Sequence, residues 1–125
     1  MNRLMVMLFL ILALVANPSR SAFAHSYPKS ESPPAGACLD SPPASVTIRF
    51  DSPVEKLFAK LQVFSSTGTE VDKGAAKVGE SGTDLSVDLN SLAPGEYTVK
   101  WGVTGHDSHT THGSYTFTVL TKAAR

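Results

Sequence analysis

Apolar and polar residues alternate along most of this chain with a period of two. Val46, Ile48 and Phe50 fall on one side of a strand, with Thr47 and Arg49 on the other. Asp51-Ser52-Pro53 interrupts the pattern. Leu61 and Val63 mark a second strand, followed by a turn at Ser66-Thr67-Gly68, and the small polar stretch from Gly74 to Gly82 suits a surface loop. Leu85, Val87 and Leu89 alternate against Ser86 and Asp88. Tyr97, Val99, Trp101 and Val103 form the longest alternating set, which puts Trp101 on the core face, and Tyr115, Phe117 and Val119 form the last. No apolar period of 3.6 residues appears after the first 24 residues. Short strands separated by Gly/Pro turns predict an all-β, immunoglobulin-like Greek-key sandwich or barrel of about seven strands. Leu92-Ala93-Pro94-Gly95-Glu96-Tyr97 reads as a sandwich corner, in which the Tyr97 hydroxyl bonds back to nearby backbone.

The first 24 residues follow a different rule. A short basic start gives way to an unbroken apolar run, Leu4 to Ala16, and Ala22-Phe23-Ala24 supplies the small residues a signal peptidase reads. The run is shorter than the roughly 20 residues a membrane span needs. The expectation is a secretory signal at 1–24 and a single domain at 25–125, the size of one compact unit. From His25 to Pro43 the chain is rich in Pro, Ser, Ala and Gly and reads as an extended lead-in with turns.

Charge and sulfur then narrow the function. Two of the 11 basic residues, Arg3 and Arg20, lie in the signal, so 9 face 11 acidic residues in the domain. No basic excess exists to neutralise phosphates, which argues against a nucleic-acid partner. All three methionines, Met1, Met5 and Met7, also lie in the signal. Cys38 is the only cysteine and cannot form an internal disulfide. It reads as a small, partly buried residue ahead of a copper ligand or an intermolecular bridge.

The histidines carry the chemistry. His25 becomes the first residue when the signal is removed, and a free N-terminal histidine offers its amine and ring Nδ1 to one ion in a six-membered chelate. Nitrogen and oxygen donors in a tetragonal plane suit Cu(II). Asp107 and His109, two apart, face the same way in extended backbone and can converge on one ion. By the same parity His106 and His112 point away, as exposed loop residues. A zinc site from His106, His109 and His112 is the competing scheme. It wants a helix, which Gly105 and Gly113 oppose.

His25 after the signal, Phe50-Asp51-Ser52-Pro53-Val54-Glu55, the stretch from Leu92 to Trp101, Asp107-Ser108-His109 and Gly113 to Val119 together resemble the CopC family of periplasmic copper-binding proteins. The spacing of Trp101, Asp107, His109 and Gly113 is the most specific part. The resemblance implies a cupredoxin-like or immunoglobulin-like β fold and a non-enzymatic, monomeric copper carrier or buffer in copper resistance or homeostasis. It also implies one Cu(II) per chain held by His25, Asp107 and His109, with an inner-membrane copper transporter as a plausible recipient. Two departures stand out. Many members have glutamate where Ser52 stands, leaving open whether Asp51 replaces it, and the methionine-rich loop of Cu(I)-binding members is missing. A histidine-brace copper oxidase and a metal-free immunoglobulin-like interaction module are the alternative functions.

Overall fold

The computed structural model describes residues 26–122. Eight strands occur among them: β1 (Pro28–Ser32), β2 (Cys38–Leu39), β3 (Ser45–Phe50), β4 (Lys60–Ser65), β5 (Lys77–Val78), β6 (Asp84–Asp88), β7 (Gly95–Thr104) and β8 (Thr110–Val119). They form two four-stranded sheets, ordered β1-β3-β6-β5 and β2-β8-β7-β4. All pairings are antiparallel except that of β2 with β8. The sheets pack face to face as an open sandwich and do not close into a barrel.

The alternating residues meet between the sheets. Val46, Ile48, Val63, Leu85, Val99 and Val103 are fully buried, and Phe50, Leu61, Val87, Phe117 and Val119 nearly so. Side chains of opposite parity face solvent, which fixes the register, because a one-residue slip would expose the entire set. Trp101 shares the core parity but is only half-buried. Its ring packs edge-on against Phe50, with centroids 5.4 Å apart, and covers Gly113 on the neighbouring strand. The corner forms as expected: the Tyr97 hydroxyl donates to the carbonyl of Ala93 at 2.5 Å.

Several expectations need correction. The lead-in is not merely extended, since β1 pairs with β3 and β2 with β8. Both are edge strands. Pro28–Ser32 buries none of its residues fully and so carries no apolar alternation. The loop from Gly74 to Gly82 contains the two-residue β5. Cys38 is exposed rather than partly buried. It sits opposite Thr118, near the far end of β8 from Thr110.

Candidate metal centre

Strands β7 and β8 form a ten-pair ladder running from Gly95 opposite Val119 to Thr104 opposite Thr110. The loop that joins them, residues 105–109, carries the predicted donors. It is a tight turn, closed by Gly105 N–H to the His109 carbonyl at 3.0 Å and Ser108 N–H to the Gly105 carbonyl at 3.0 Å. Ser108 adopts the left-handed conformation, φ 67°, which short polar side chains tolerate better than bulky ones. The expectation of extended backbone here is therefore wrong, although the two side chains do converge.

What brings them together is the carboxylate. Asp107 Oδ1 accepts the N–H of His109 at 3.0 Å, as aspartates do in turns. Its other oxygen, Oδ2, lies 2.9 Å from His109 Nδ1. The Asp107 side chain is 18% exposed and that of His109 65% exposed, so the carboxylate is held from below and the ring faces solvent. Two donors occupying adjacent corners of a square plane, each about 2.0 Å from a first-row ion, stand about 2.8 Å apart. The observed 2.9 Å is close to that spacing and is also the length of a hydrogen bond between the two atoms, so the ring must turn for both to face one ion.

The other histidine side chains do not join this pair. His106 Nε2 is 3.6 Å from Glu55 Oε1, on the segment that borders the turn through a Val54–Gly105 bridge and a Glu55 N–H to Thr104 carbonyl bond of 2.8 Å. His112 is exposed on β8, opposite Gly102. Among the described residues no group of three or more His, Cys, Asp or Glu is gathered to hold a metal. The zinc triad of His106, His109 and His112 is thus not assembled.

His25 and the leader expected at 1–24 lie outside the described residues. Ser26, the next residue, is 1% exposed. Its hydroxyl hydrogen-bonds the Ser52 hydroxyl at 2.9 Å and donates to the Pro53 carbonyl at 3.2 Å. Its carbonyl accepts from the Thr111 hydroxyl at 2.7 Å. Tyr27 N–H donates to Asp51 Oδ1 at 2.9 Å, and Asp51 N–H returns a bond to the Tyr27 carbonyl at 2.9 Å. Ser26 is therefore fixed to β8 two residues from His109. Asp51 is engaged as a backbone clamp, and Ser52 as an anchor. Sequence reasoning missed Ser26 and Thr111, and marked Ser52 only as a departure from the family pattern. Only the parity of Thr111, shared with Tyr115 and Phe117, hinted that it points inward.

The family model for the CopC domain matches residues 28–120. This chain belongs to the CopC domain family. The CopC match includes Asp107 and His109 and begins three residues after His25. Among relatives, the copper transport protein CutJ of Bacillus subtilis is 32% identical over 114 residues, covering 90% of this chain and 21% of CutJ. The chain thus spans about a fifth of that relative. Among solved structures, CopC from Methylosinus trichosporium OB3b is 33% identical, with a TM-score of 0.68 over 77% of this chain and 94% of that one. PcoC, a methionine-rich copper resistance protein from Escherichia coli, is 27% identical, with a TM-score of 0.65 over 77% and 99%.

Proposed function

We propose that this CopC-family protein is a copper carrier of the periplasm that binds one Cu(II) ion after export removes residues 1–24. The ligands in this reading are the freed amine and Nδ1 of His25, the carboxylate of Asp107 and the imidazole of His109. The protein acts as a monomer, performs no catalysis, and passes its ion to a membrane copper transporter. Names among its relatives support the cargo: CutJ is a copper transport protein and PcoC a copper resistance protein.

The observation that carries the reading is the fixation of Ser26. One peptide bond separates it from His25. Its carbonyl is tied to Thr111 on the strand that leaves the Asp107–His109 turn. A residue so tethered meets the turn with little loop entropy to overcome. Asp107 and His109 alone supply two donors. An amine and a ring nitrogen from one further residue complete a tetragonal set with three nitrogens and one oxygen, which suits Cu(II).

Sulfur chemistry supports the same oxidation state. PcoC is described as methionine-rich, whereas this chain has no methionine after Met7. Cys38 lies opposite Thr118, eight residues along β8 from Thr110. At about 3.3 Å per residue that is roughly 26 Å away. No soft donor is within reach, so Cu(I) is held weakly.

Blocking the amine tests the proposal. Acetylating the mature terminus, or adding one residue before His25, keeps every imidazole and removes or displaces the chelating amine. Cu(II) affinity should fall by orders of magnitude, and the type 2 EPR spectrum of the native site should change. Native affinity and spectrum in the blocked protein would show that His25 is not a chelating terminus.

A further inference from the structure

Among the described residues, the large apolar side chains left exposed are Tyr27, Leu57, Phe58 and Leu120. Two of them are adjacent in sequence. Leu57 is 92% exposed and Phe58 60% exposed, and both belong to a single 3-10 turn, Lys56–Phe58, that buries nothing. The fold pins this turn on both sides. Val54 is buried and bridged to Gly105, Glu55 N–H binds the Thr104 carbonyl, and Ala59 packs against the core. Phe58 N–H closes the turn on the Glu55 carbonyl at 3.3 Å. Two apolar side chains are thus held out from the surface, beside the Asp107–His109 turn. Lys56 and Lys60 flank them, both exposed, and the exposed Glu55 beside Lys56 faces His106 at 3.6 Å.

We propose that this Lys-Leu-Phe-Ala-Lys tip docks the protein on an anionic lipid surface. Size and charge favour a bilayer over a protein partner. A stable protein interface needs about 800 Å² of complementary surface on each side, and two side chains on a convex tip fall well short. A bilayer needs no complementary shape. Its affinity grows with the apolar groups inserted below the headgroups and with the attraction of nearby lysines for anionic lipid. Lysines bracketing the tip keep their ammonium groups among the headgroups while their alkyl stems follow the apolar residues down. Among the described residues no helix is long and apolar enough to cross a membrane, so the contact is peripheral, weak and reversible. It sets the Asp107–His109 turn at the bilayer surface. The docking goes beyond the copper reading and its test needs no metal.

The exported protein, its first residue verified by mass, is sedimented with vesicles of phosphatidylethanolamine and phosphatidylglycerol and, separately, of phosphatidylcholine alone. Binding to the anionic vesicles, weakening with salt, is expected. Leu57→Ser/Phe58→Ser should lower the bound fraction about tenfold, and Lys56→Gln/Lys60→Gln should remove the preference for anionic lipid. All four side chains are exposed, so an unchanged thermal midpoint confirms that the variants fold. An environment-sensitive probe at Leu57→Cys in a Cys38→Ser chain reads the tip itself and should shift to the blue with anionic vesicles. Failure to bind anionic vesicles would overturn the proposal. So would equal binding by the Leu57→Ser/Phe58→Ser variant, or a probe that does not respond.

Discussion

Replacing Thr111 with valine removes one hydroxyl and almost nothing else. The side chain keeps its size and branching, but the 2.7 Å bond to the Ser26 carbonyl is lost. A hydrogen bond of this kind contributes about 0.5–1.5 kcal/mol net, and a partly buried carbonyl left without a donor can cost about 1–3 kcal/mol. Ser26 keeps its bonds to Ser52 and Pro53, so the terminus loosens without leaving. If docking of Ser26 is what presents His25 to the turn, the apparent dissociation constant rises as the docked fraction falls. A loss of about 1 kcal/mol weakens Cu(II) affinity by up to roughly fivefold, the full factor being reached where the docked state no longer dominates. The ligands are untouched, so the EPR spectrum of the loaded protein should stay native, unlike that of any variant lacking a donor. Competition against a chromogenic Cu(II) chelator at fixed pH measures the affinity, and thermal unfolding of the metal-free protein gives the structural cost. A variant that unfolds at lower temperature yet binds copper with native affinity would refute the reasoning, because the anchor would then serve the fold alone.

Asp107→Ala and His109→Ala should each weaken Cu(II) binding far more than His106→Ala or His112→Ala, since only the first two side chains converge, at 2.9 Å, while His106 faces Glu55 and His112 lies on β8; comparable losses at His112 would revive the triad. Gly113→Ala should lower the thermal midpoint by several degrees, because the new Cβ would lie 2.7 Å from Trp101 Cζ2 and displace the ring. Overpacking of this kind costs about 1–3 kcal/mol, and an unshifted Trp101 fluorescence spectrum would contradict the cause. Burial, with the charge of Glu31 adding to it, pushes the Tyr115 phenol above its ordinary value. The fold thus prefers the neutral form, so this stability is complete below about pH 10 and lost as pH rises beyond it. Tyr115→Phe should flatten that alkaline decline. It should not lower the midpoint at neutral pH, because the buried hydroxyl has no hydrogen-bond partner among the described residues; a large loss of stability would show that it has one.

The strands that sequence made legible are those with a neighbour on each side in the sheet or a long inner face. Ser45–Phe50, Lys60–Ser65, Asp84–Asp88, Gly95–Thr104 and Thr110–Val119 each carry two or more buried apolar residues at alternate positions. Pro28–Ser32 and Cys38–Leu39 lacked that signal because neither puts a fully buried side chain into the core; they are held chiefly by backbone bonds to one partner, and backbone bonds leave no trace in side-chain type. Tyr97 was readable for a different reason. A proline-glycine turn followed by tyrosine constrains the hydroxyl locally, and its partner Ala93 is only four residues away.

The metal centre divides along the same line. Asp107 and His109 were found by chemistry and spacing, yet the parity argument that joined them assumed a backbone the turn does not have. Ser108 in the left-handed region reverses the chain, and the Asp107 carboxylate supplies the convergence that extended geometry was meant to provide. The anchor was hidden more deeply. Ser26 and Thr111 are 85 residues apart, and serine and threonine hydroxyls occur throughout the chain with no pattern that marks a distant partner. Ser52 shows what this means for the family comparison. At the position where the family resemblance implies a glutamate, this chain has a hydroxyl that bonds to Ser26. Asp51, one residue earlier, keeps its charge and uses Oδ1 to hold the N–H of Tyr27. The departure thus exchanges a possible anionic ligand for a firmer hold on the terminus. Under the proposed ligand set Asp107 is the sole carboxylate, so a Cu(II) site built this way keeps a net positive charge and depends on the placement of His25 for half of its donors.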